Sequence, residues 1–296
     1  MDYPKIAIVI PVFNRINHTV QCLESLKNVR YPNLEIIIID DGSTDRTSEV
    51  IKKYFPYVVL VEGDGNLWWA KATNLGIKKA VSNKAQYILF LNNDDEVDNN
   101  IVLNLLQCAK DNPDSIIGCK VRHFEQPNKI IFAGGFCDWE NRGLFRHGDG
   151  EIDLGQHDMR KEIEWIPGAG TFVNVDVFEK IGLIDDGSFP QYRGDIDFTL
   201  RAHKAGYRVI FEPTAVLYKK MEPNTSSCAK RPEIFRKLIM PLFSRRSPMN
   251  LKTESIFVWK HCPKKYMIRR FFWTYYSYYK GFFSLNVIKR HYLSKR

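Results

Sequence analysis

The sequence predicts an α/β fold with a mostly parallel central sheet flanked by helices and a separate C-terminal extension. Three observations carry that reading. Short, unbroken apolar runs alternate with helix-like stretches along residues 5 to 98, two of those runs end in acid pairs, and a basic, aromatic segment follows the last strand-like run. An unbroken apolar run reads as a strand buried on both faces, as in parallel sheets. Its alternation with helices is the pattern of a doubly wound sheet with right-handed crossovers.

Taken in order, Lys5 to Pro11 gives the first strand (Ile6, Ala7, Ile8, Val9, Ile10), stopped by Pro11. Val12, Phe13, Asn14 and Arg15 form the loop at its carboxyl end, and Val20, Leu23 and Leu26 then recur at helical spacing. Leu34 to Ile39, with four consecutive isoleucines, is a second strand running into Asp40, Asp41, Gly42, Ser43, Thr44 and Asp45. Ser43 or Thr44 is placed to cap a helix beginning near Asp45. Val58 to Val61 is a third strand, Ala70 to Val81 a helix, and Tyr87 to Leu91 a fourth strand that enters Asn92, Asn93, Asp94, Asp95 and Glu96. A further helix starts near Asn100.

Ile116 to Val121 and Lys129 to Phe136 read as two more strands. The polar, Gly-rich segment between Cys137 and Lys161 is long enough to be functional or mobile, with His147 and His157 expected to be solvated. Phe172 and Val173 lie on another strand, and Gly194 to Asp197 opens a helix in which Asp197 and Arg201 stand at i, i+4.

Two successive buried strands thus end in acid pairs, at the sheet edge where open α/β folds bind ligands. Carboxylates there suit a divalent cation bridging phosphate oxygens; a polar turn capping the next helix is the structural alternative. No Gly-x-Gly-x-x-Gly follows the first strand and no Walker lysine follows a Gly-rich loop, so dinucleotide cofactors and P-loop chemistry are excluded. A nucleotide held by carboxylates and a cation remains.

Six stretches in order (IAIVIPVFNR, IIIIDDGSTDRT, GNLWWAKATNLGI, FLNNDDEV, PGAGTFVNVDVFEKIGLID and GDIDFTLRAHKAGYRVIFEP) resemble the family 2 glycosyltransferases of GT-A fold, over roughly residues 4 to 215. The likeness is to the branch that builds bacterial surface polysaccharides such as capsule and O-antigen, including its rhamnosyltransferase-like members. The resemblance implies an inverting, metal-dependent transfer of a sugar from a UDP- or dTDP-sugar to a glycan or lipid-linked glycan hydroxyl, with Mn2+ or Mg2+ on the diphosphate. It places the donor nucleotide on Pro11, Phe13, Asn14, Arg15, Asp40 and Asp41, with Asp41 favoured at the base. Asn92, Asn93 and Asp94 align with the family's Asp-x-Asp motif, leaving Asp94 as main metal ligand and Asp95 as helper.

Asp195 aligns with the family's catalytic base, and Gly194 stands where the preceding glutamate is usual. Capping of the helix is the structural alternative for Asp195, and for Asp197 it is the preferred reading. Trp68 and Trp69 fit either core packing at a helix start or a wall against the sugar. Asn74 fits a loop tie or a donor contact. Trp165, Gly168, Tyr192 and Gly194 are candidate sugar neighbours, and the 137–161 segment is expected to cover the acceptor side. The family's late metal-binding His is missing from Ala215 to Lys220, which leaves Lys219 and Lys220 as candidate carriers of diphosphate charge. Two rivals are a sugar-nucleotide nucleotidyltransferase, whose Gly-rich loop is replaced here by Pro11 to Asn14, and a nucleotide-sugar-binding protein without transfer, against which Asp94 and Asp195 both stand.

The 296 residues divide into a catalytic domain at 1–218, with nucleotide-sugar binding at about 1–98 and the acceptor side at about 115–218, and a helical extension at 219–296. The extension holds 19 Lys and Arg against three acids, a net +16, while the rest holds 24 bases and 31 acids, a net −7. Phe271 to Tyr279 is almost entirely aromatic and is flanked by Lys264, Lys265, Arg269, Arg270 and Lys280. That mixture points to an anionic membrane surface at the cytoplasmic face; helical packing and nucleic acid, the least favoured, are the alternatives. No run approaches the roughly 20 apolar residues of a membrane span, and the first strand begins too early to leave room for a signal peptide. Cys22, Cys108, Cys119, Cys137, Cys228 and Cys262 lack metal-ligand spacing and read as reduced, mostly core residues of a cytosolic protein.

Overall fold

The computed structural model describes residues 3–220 and 239–293, with side chains up to 280. Cys228 and the stretch 221–238 of the extension lie outside the described residues. In chain order the strands are β1 (Ile6–Val12), β2 (Leu34–Asp40), β3 (Val59–Glu62), β4 (Tyr87–Phe90), β5 (Asp95–Val97), β6 (Ser115–His123), β7 (Ile130–Phe132), β8 (Gly135–Asp138), β9 (Gly143–Arg146), β10 (Lys161–Ile163), β11 (Thr171–Asn174) and β12 (Arg208–Lys219). The helices are α1 (Ile16–Leu26), α2 (Thr47–Tyr54), α3 (Trp68–Ser82), α4 (Ile101–Asp111), α5 (Asp176–Ile181), α6 (Gly194–Lys204), α7 (Leu251–His261) and α8 (Met267–Leu293).

The main sheet runs β3-β2-β1-β4-β11-β6-β12-β10. Its first four strands are parallel, β11 enters antiparallel between β4 and β6, and β6 and β12 are parallel to one another. The apolar runs explain the order: Ile6 to Ile10, Ile36 to Ile39 and Ile88 to Leu91 are all essentially inaccessible, so these strands need cover on both faces. Helix α3 covers β1 and β2 closely because Gly76 sits where any Cβ would meet Val9 Cγ1 at 2.3 Å.

Several local expectations are corrected. Neither Ser43 nor Thr44 caps α2; Asp45, ahead of the N-cap position at Arg46, accepts from Thr47 N at 3.2 Å while its other oxygen takes Ile16 N at 2.9 Å. Ser43 Oγ instead accepts from Asn14 N at 2.6 Å. The acids after β4 enter a short strand, β5, that pairs antiparallel with the end of β12 (Leu217 with Val97, Lys219 with Asp95). Lys129 to Phe136 breaks into β7 and β8 at Gly134, whose φ of 119° is glycine territory. The 137–161 segment contributes β9 to a hairpin with β8. His147 packs against Phe136 there, with ring centroids 4.5 Å apart and the planes tilted by 40°, and His157 pairs with Glu151.

The described part of the extension is docked on α6. Phe257 of α7 is 1% exposed and belongs to the main core. Buried Asp197 gathers Lys260 Nζ at 2.7 Å, His261 Nε2 at 2.8 Å and Arg201 Nε at 2.8 Å. Burial pushes this carboxyl up, but hydrogen bonds from His261, Lys260 and Arg201 outweigh it and hold Asp197 down at about 2.

The sign follows from linkage: a depressed carboxyl stabilises the fold above its unfolded pKa and loses that contribution as pH falls through the folded value. Asp197→Asn is expected to cost at least about 2 kcal/mol at pH 7. The gap between parent and variant in urea melts should close as pH drops from 4 toward 2; a constant gap would refute the assignment.

Candidate active site

A cleft of about 750 Å³ opens at the carboxyl edge of the sheet. It lies where β1 has β2 on one side and β4 on the other, so consecutive connections leave in opposite directions and their loops part. Four residues at or next to its rim, Asn14, Arg15, Trp68 and Arg193, have φ between 58° and 75°. Left-handed backbone is uncommon for such side chains and persists where surrounding bonds over-determine it.

At Trp68 those bonds come from Asp41. Its carboxylate accepts from Gly65 N at 2.9 Å and from Leu67 N and Trp68 N at 3.0 Å, fixing the entry of α3. Asp41 lines the cleft with most of its acceptor capacity already used. Pro11, Phe13 and Arg15 line the same side. Asn14 does not: its side-chain oxygen accepts from Thr44 N at 2.9 Å and ties two loops together. Asp40 is 1% exposed and serves the same loop, accepting from Ser43 N and Ser48 Oγ.

The turn after β4 brings Asn92, Asn93 and Asp94 to the cleft. Asn92 Oδ1 accepts from Trp69 Nε1 at 3.0 Å, and Asn93 Nδ2 donates to Thr19 Oγ1 at 3.1 Å. Asp95, expected as a metal helper, points away: it is wholly buried and accepts from Asn92 N at 2.7 Å. Lys219 Nζ lies 3.3 Å from Asp94 Oδ1 and 3.4 Å from Asp95 Oδ1, and Arg15 reaches within 4.0 Å of Asp94 Oδ2. Burial pushes the Asp95 carboxyl up to about 6 against the pull of Lys219. Burial also opposes the Lys219 ammonium, but Asp95 and Asp94 more than offset it and raise its pKa. Lys220 faces elsewhere, bonded to Glu96 and Gln21 at 2.6 Å.

Asp195, Gly168 and Tyr192 also line the cleft. Asp195 Oδ2 accepts from Gly168 N at 2.8 Å and Oδ1 from Ile196 N at 2.9 Å, so the carboxylate is fixed toward the 167–169 turn. Trp69 both packs and lines, since a Cβ on Gly168 would meet its Cζ2 at 2.5 Å. Three other candidates are structural. Asn74 clamps the 184–186 loop through Ile184 and Asp186; Trp165, 2% exposed, packs against Phe132; Gly194 is buried where a Cβ would meet Ile184 at 2.9 Å.

The sequence reading missed Gln191, Arg193, Arg146 and Arg246 as cleft residues. Gln191 Oε1 accepts from Trp69 N at 3.2 Å, and Arg246 lies 5.7 Å over the Trp68 ring from the extension. A lone arginine in a basic tail carries no signal that it returns to the sheet edge.

The residues present do not form a site for a resident divalent ion. Asp94 is the one carboxylate of its turn facing the cleft, Asp95 and Asn92 Oδ1 are spent on internal bonds, and an ammonium occupies the space between the two acids. Among the described residues no cluster of three His, Cys, Asp or Glu could hold a metal.

Residues 7–162 match the model of "Glycosyl transferase family 2". The chain belongs to this family. Among relatives, the glycosyltransferase GlyG of Streptococcus pneumoniae is 32% identical over 133 residues, covering 43% of this chain and 42% of its own. An uncharacterized glycosyltransferase of Haemophilus influenzae is 38% identical over 150 residues, covering 49% of this chain and 52% of its own. The chain therefore spans about half or less of the length of these relatives. A solved structure of GalNAc-T7 with UDP, GalNAc and Mn2+ shares the fold, with a TM-score of 0.61 at 15% identity over 77% of this chain and 46% of its own.

The contact between Gly168 and Trp69 yields a test of the cleft's construction. Gly168→Ala should force the indole from its place, costing roughly 1–3 kcal/mol as overpacking does. A shift in tryptophan fluorescence should accompany the fall in melting temperature, and an unchanged emission spectrum would show that the contact is looser than drawn.

Proposed function

We propose that this family 2 member transfers a sugar from a nucleoside-diphosphate sugar of the UDP or dTDP class to a hydroxyl of a glycan or lipid-linked glycan in surface polysaccharide synthesis. The observation that carries the reading is that one cleft at the sheet's carboxyl edge collects the Asp41 loop, the Asp94 turn and Asp195. In this reading the nucleoside lies between the loops after β1 and β2, and the diphosphate lies by the Asp94 turn. Asp195 accepts the proton of the acceptor hydroxyl as that oxygen attacks the anomeric carbon. The bond from that carbon to the diphosphate breaks on the opposite face, inverting the centre, and the electron pair leaves with the nucleoside diphosphate. The resemblance also implies Mn2+ or Mg2+, but with Asp94 as the one cleft-facing carboxylate of its turn, the step is not routed through a metal.

Asp195 accepts two backbone N–H groups in the ground state, so Asp195→Asn must lose one of those bonds. A stability cost of about 1 kcal/mol is expected from that loss, alongside a fall in turnover of about 100- to 10,000-fold from losing the base. Turnover within a few-fold of the parent would leave Asp195 as a fixture of the 167–169 turn only.

We also propose that α8 holds the protein at an anionic lipid surface on the cytoplasmic side, where a lipid-linked acceptor would be met. Among the described residues no helix is long and apolar enough to cross a membrane. Ile268, Phe272, Trp273 and Tyr276 are 48–77% exposed and recur at helical spacing beside exposed Lys265 and Arg269. Arg270 belongs to the fold instead, donating to Asn141 O at 3.3 Å and Arg142 O at 2.8 Å.

Each Lys or Arg near such a surface contributes about 1 kcal/mol. Reversing Lys264, Lys265 and Arg269 to Glu should abolish co-sedimentation with phosphatidylserine vesicles while leaving the melting temperature in place. Undiminished co-sedimentation would refute the electrostatic anchor.

A further inference from the structure

The transfer expels a nucleoside diphosphate, and positive charge must face its phosphates as the bond breaks. We propose that in this chain Lys219 supplies that charge, as a lysine built into the sheet where a divalent ion would otherwise be needed, so that nucleoside diphosphate binding is metal-independent. The proposal rests on the glycosyl-transfer reading above and assigns a residue to one part of it.

The backbone makes this an unusual lysine. It is the last residue of β12, paired with Asp95 of β5 on one side and His123 of β6 on the other. The next residue is also held, with Lys220 N donating to Asp94 O at 3.2 Å. A lysine on a three-strand junction is aimed by the sheet, and strand alternation sends Lys220 to the other side. The Lys219 side chain lies only 28% exposed, over Asp94 in the cleft. Its ammonium carries three N–H donors, and Asp94 and Asp95 take two, leaving a third for a phosphate oxygen.

The same atoms argue against a metal in that place. A divalent ion needs carboxylate oxygens at about 2.0–2.6 Å. Here the one carboxylate of the turn that faces the cleft already has an ammonium on one oxygen and a guanidinium near the other. The wider lining agrees. Five cationic side chains (Arg15, Arg146, Arg193, Lys219 and Arg246) face three acids, and one of those acids, Asp41, is covered by backbone N–H groups. Two of those cations carry buried counter-ions, Glu254 for Arg193 and Asp95 for Lys219, so the lining presents N–H donors to a phosphate rather than a net positive field. Asp94 then has a different duty from ligating: together with buried Asp95 it positions Lys219 before the phosphates arrive.

The test is titration calorimetry on the full chain with UDP, dTDP and GDP, each in EDTA and in excess Mn2+. The diphosphate that binds should do so equally well in both buffers. Lys219→Met should weaken it by roughly 10- to 100-fold in EDTA, the range for losing a charge-assisted hydrogen bond, and Lys219→Arg should retain most of the affinity. Asp94→Asn should bind at least as tightly as the parent, because it removes a negative charge from beside the phosphates and leaves Asp95 to hold the lysine. A metal site makes the opposite forecast, so binding that needs Mn2+ and disappears in Asp94→Asn would overturn the assignment while sparing the transfer reading. If Lys219→Met does not fold, the EDTA comparison and Asp94→Asn still decide. Binding of none of the three diphosphates in either buffer would overturn the assignment together with the reading on which it rests.

Discussion

The structure depends on a charge cluster at the carboxyl edge of the sheet, where Lys219 stands between Asp94 and Asp95. One carboxylate is wholly buried and bonded to the backbone of its own turn, the other faces the cleft, and the ammonium joins them. Removing the lysine would leave wholly buried Asp95 without its cation, where the penalty is far larger than at a surface, whereas removing Asp94 leaves Lys219 paired with Asp95. The pairing also holds β5 against β12, and so fixes the distance between the turn after β4 and the far half of the sheet. The cleft has its shape because two distant parts of the chain are locked there by opposite charges.

Much of this was legible in the residues. Buried parallel strands are announced by apolar runs such as Ile36 to Ile39, and the alternation with helices gave the layers. The acids at the ends of β2 and β4 marked the ligand edge, and Asp41, Asp94 and Asp195 all reach the cleft. What failed was the division of labour within each acid pair. Asp40 and Asp41 look alike as letters, yet one closes its own loop and the other caps α3, because successive residues at a strand end point opposite ways. The same alternation separates Asp94 from Asp95, and Lys219 from Lys220.

Long-range returns were the other blind spot. Arg246 reaches Trp68 across some 180 residues of sequence, and Glu254 fixes Arg193 at the cleft rim through bonds of 2.9 and 3.1 Å. Neither has a local pattern. Asn74 shows the converse: a residue inside a family-like stretch that serves the 184–186 loop, which only the assembled fold reveals.

Glu254 and the Asp197 clamp have a consequence for how such proteins diversify. The extension is not a passenger that could be exchanged at a flexible joint. Its helix α7 contributes Phe257 to the main core, sets Arg193 beside the cleft and rests Lys260 and His261 on the helix that begins with Gly194 and Asp195. A graft of a foreign tail would have to bring its own glutamate, phenylalanine and histidine at matching positions. The extension and α6 therefore form one packed unit, and a change on either side of the Asp197 contacts must be met by the other.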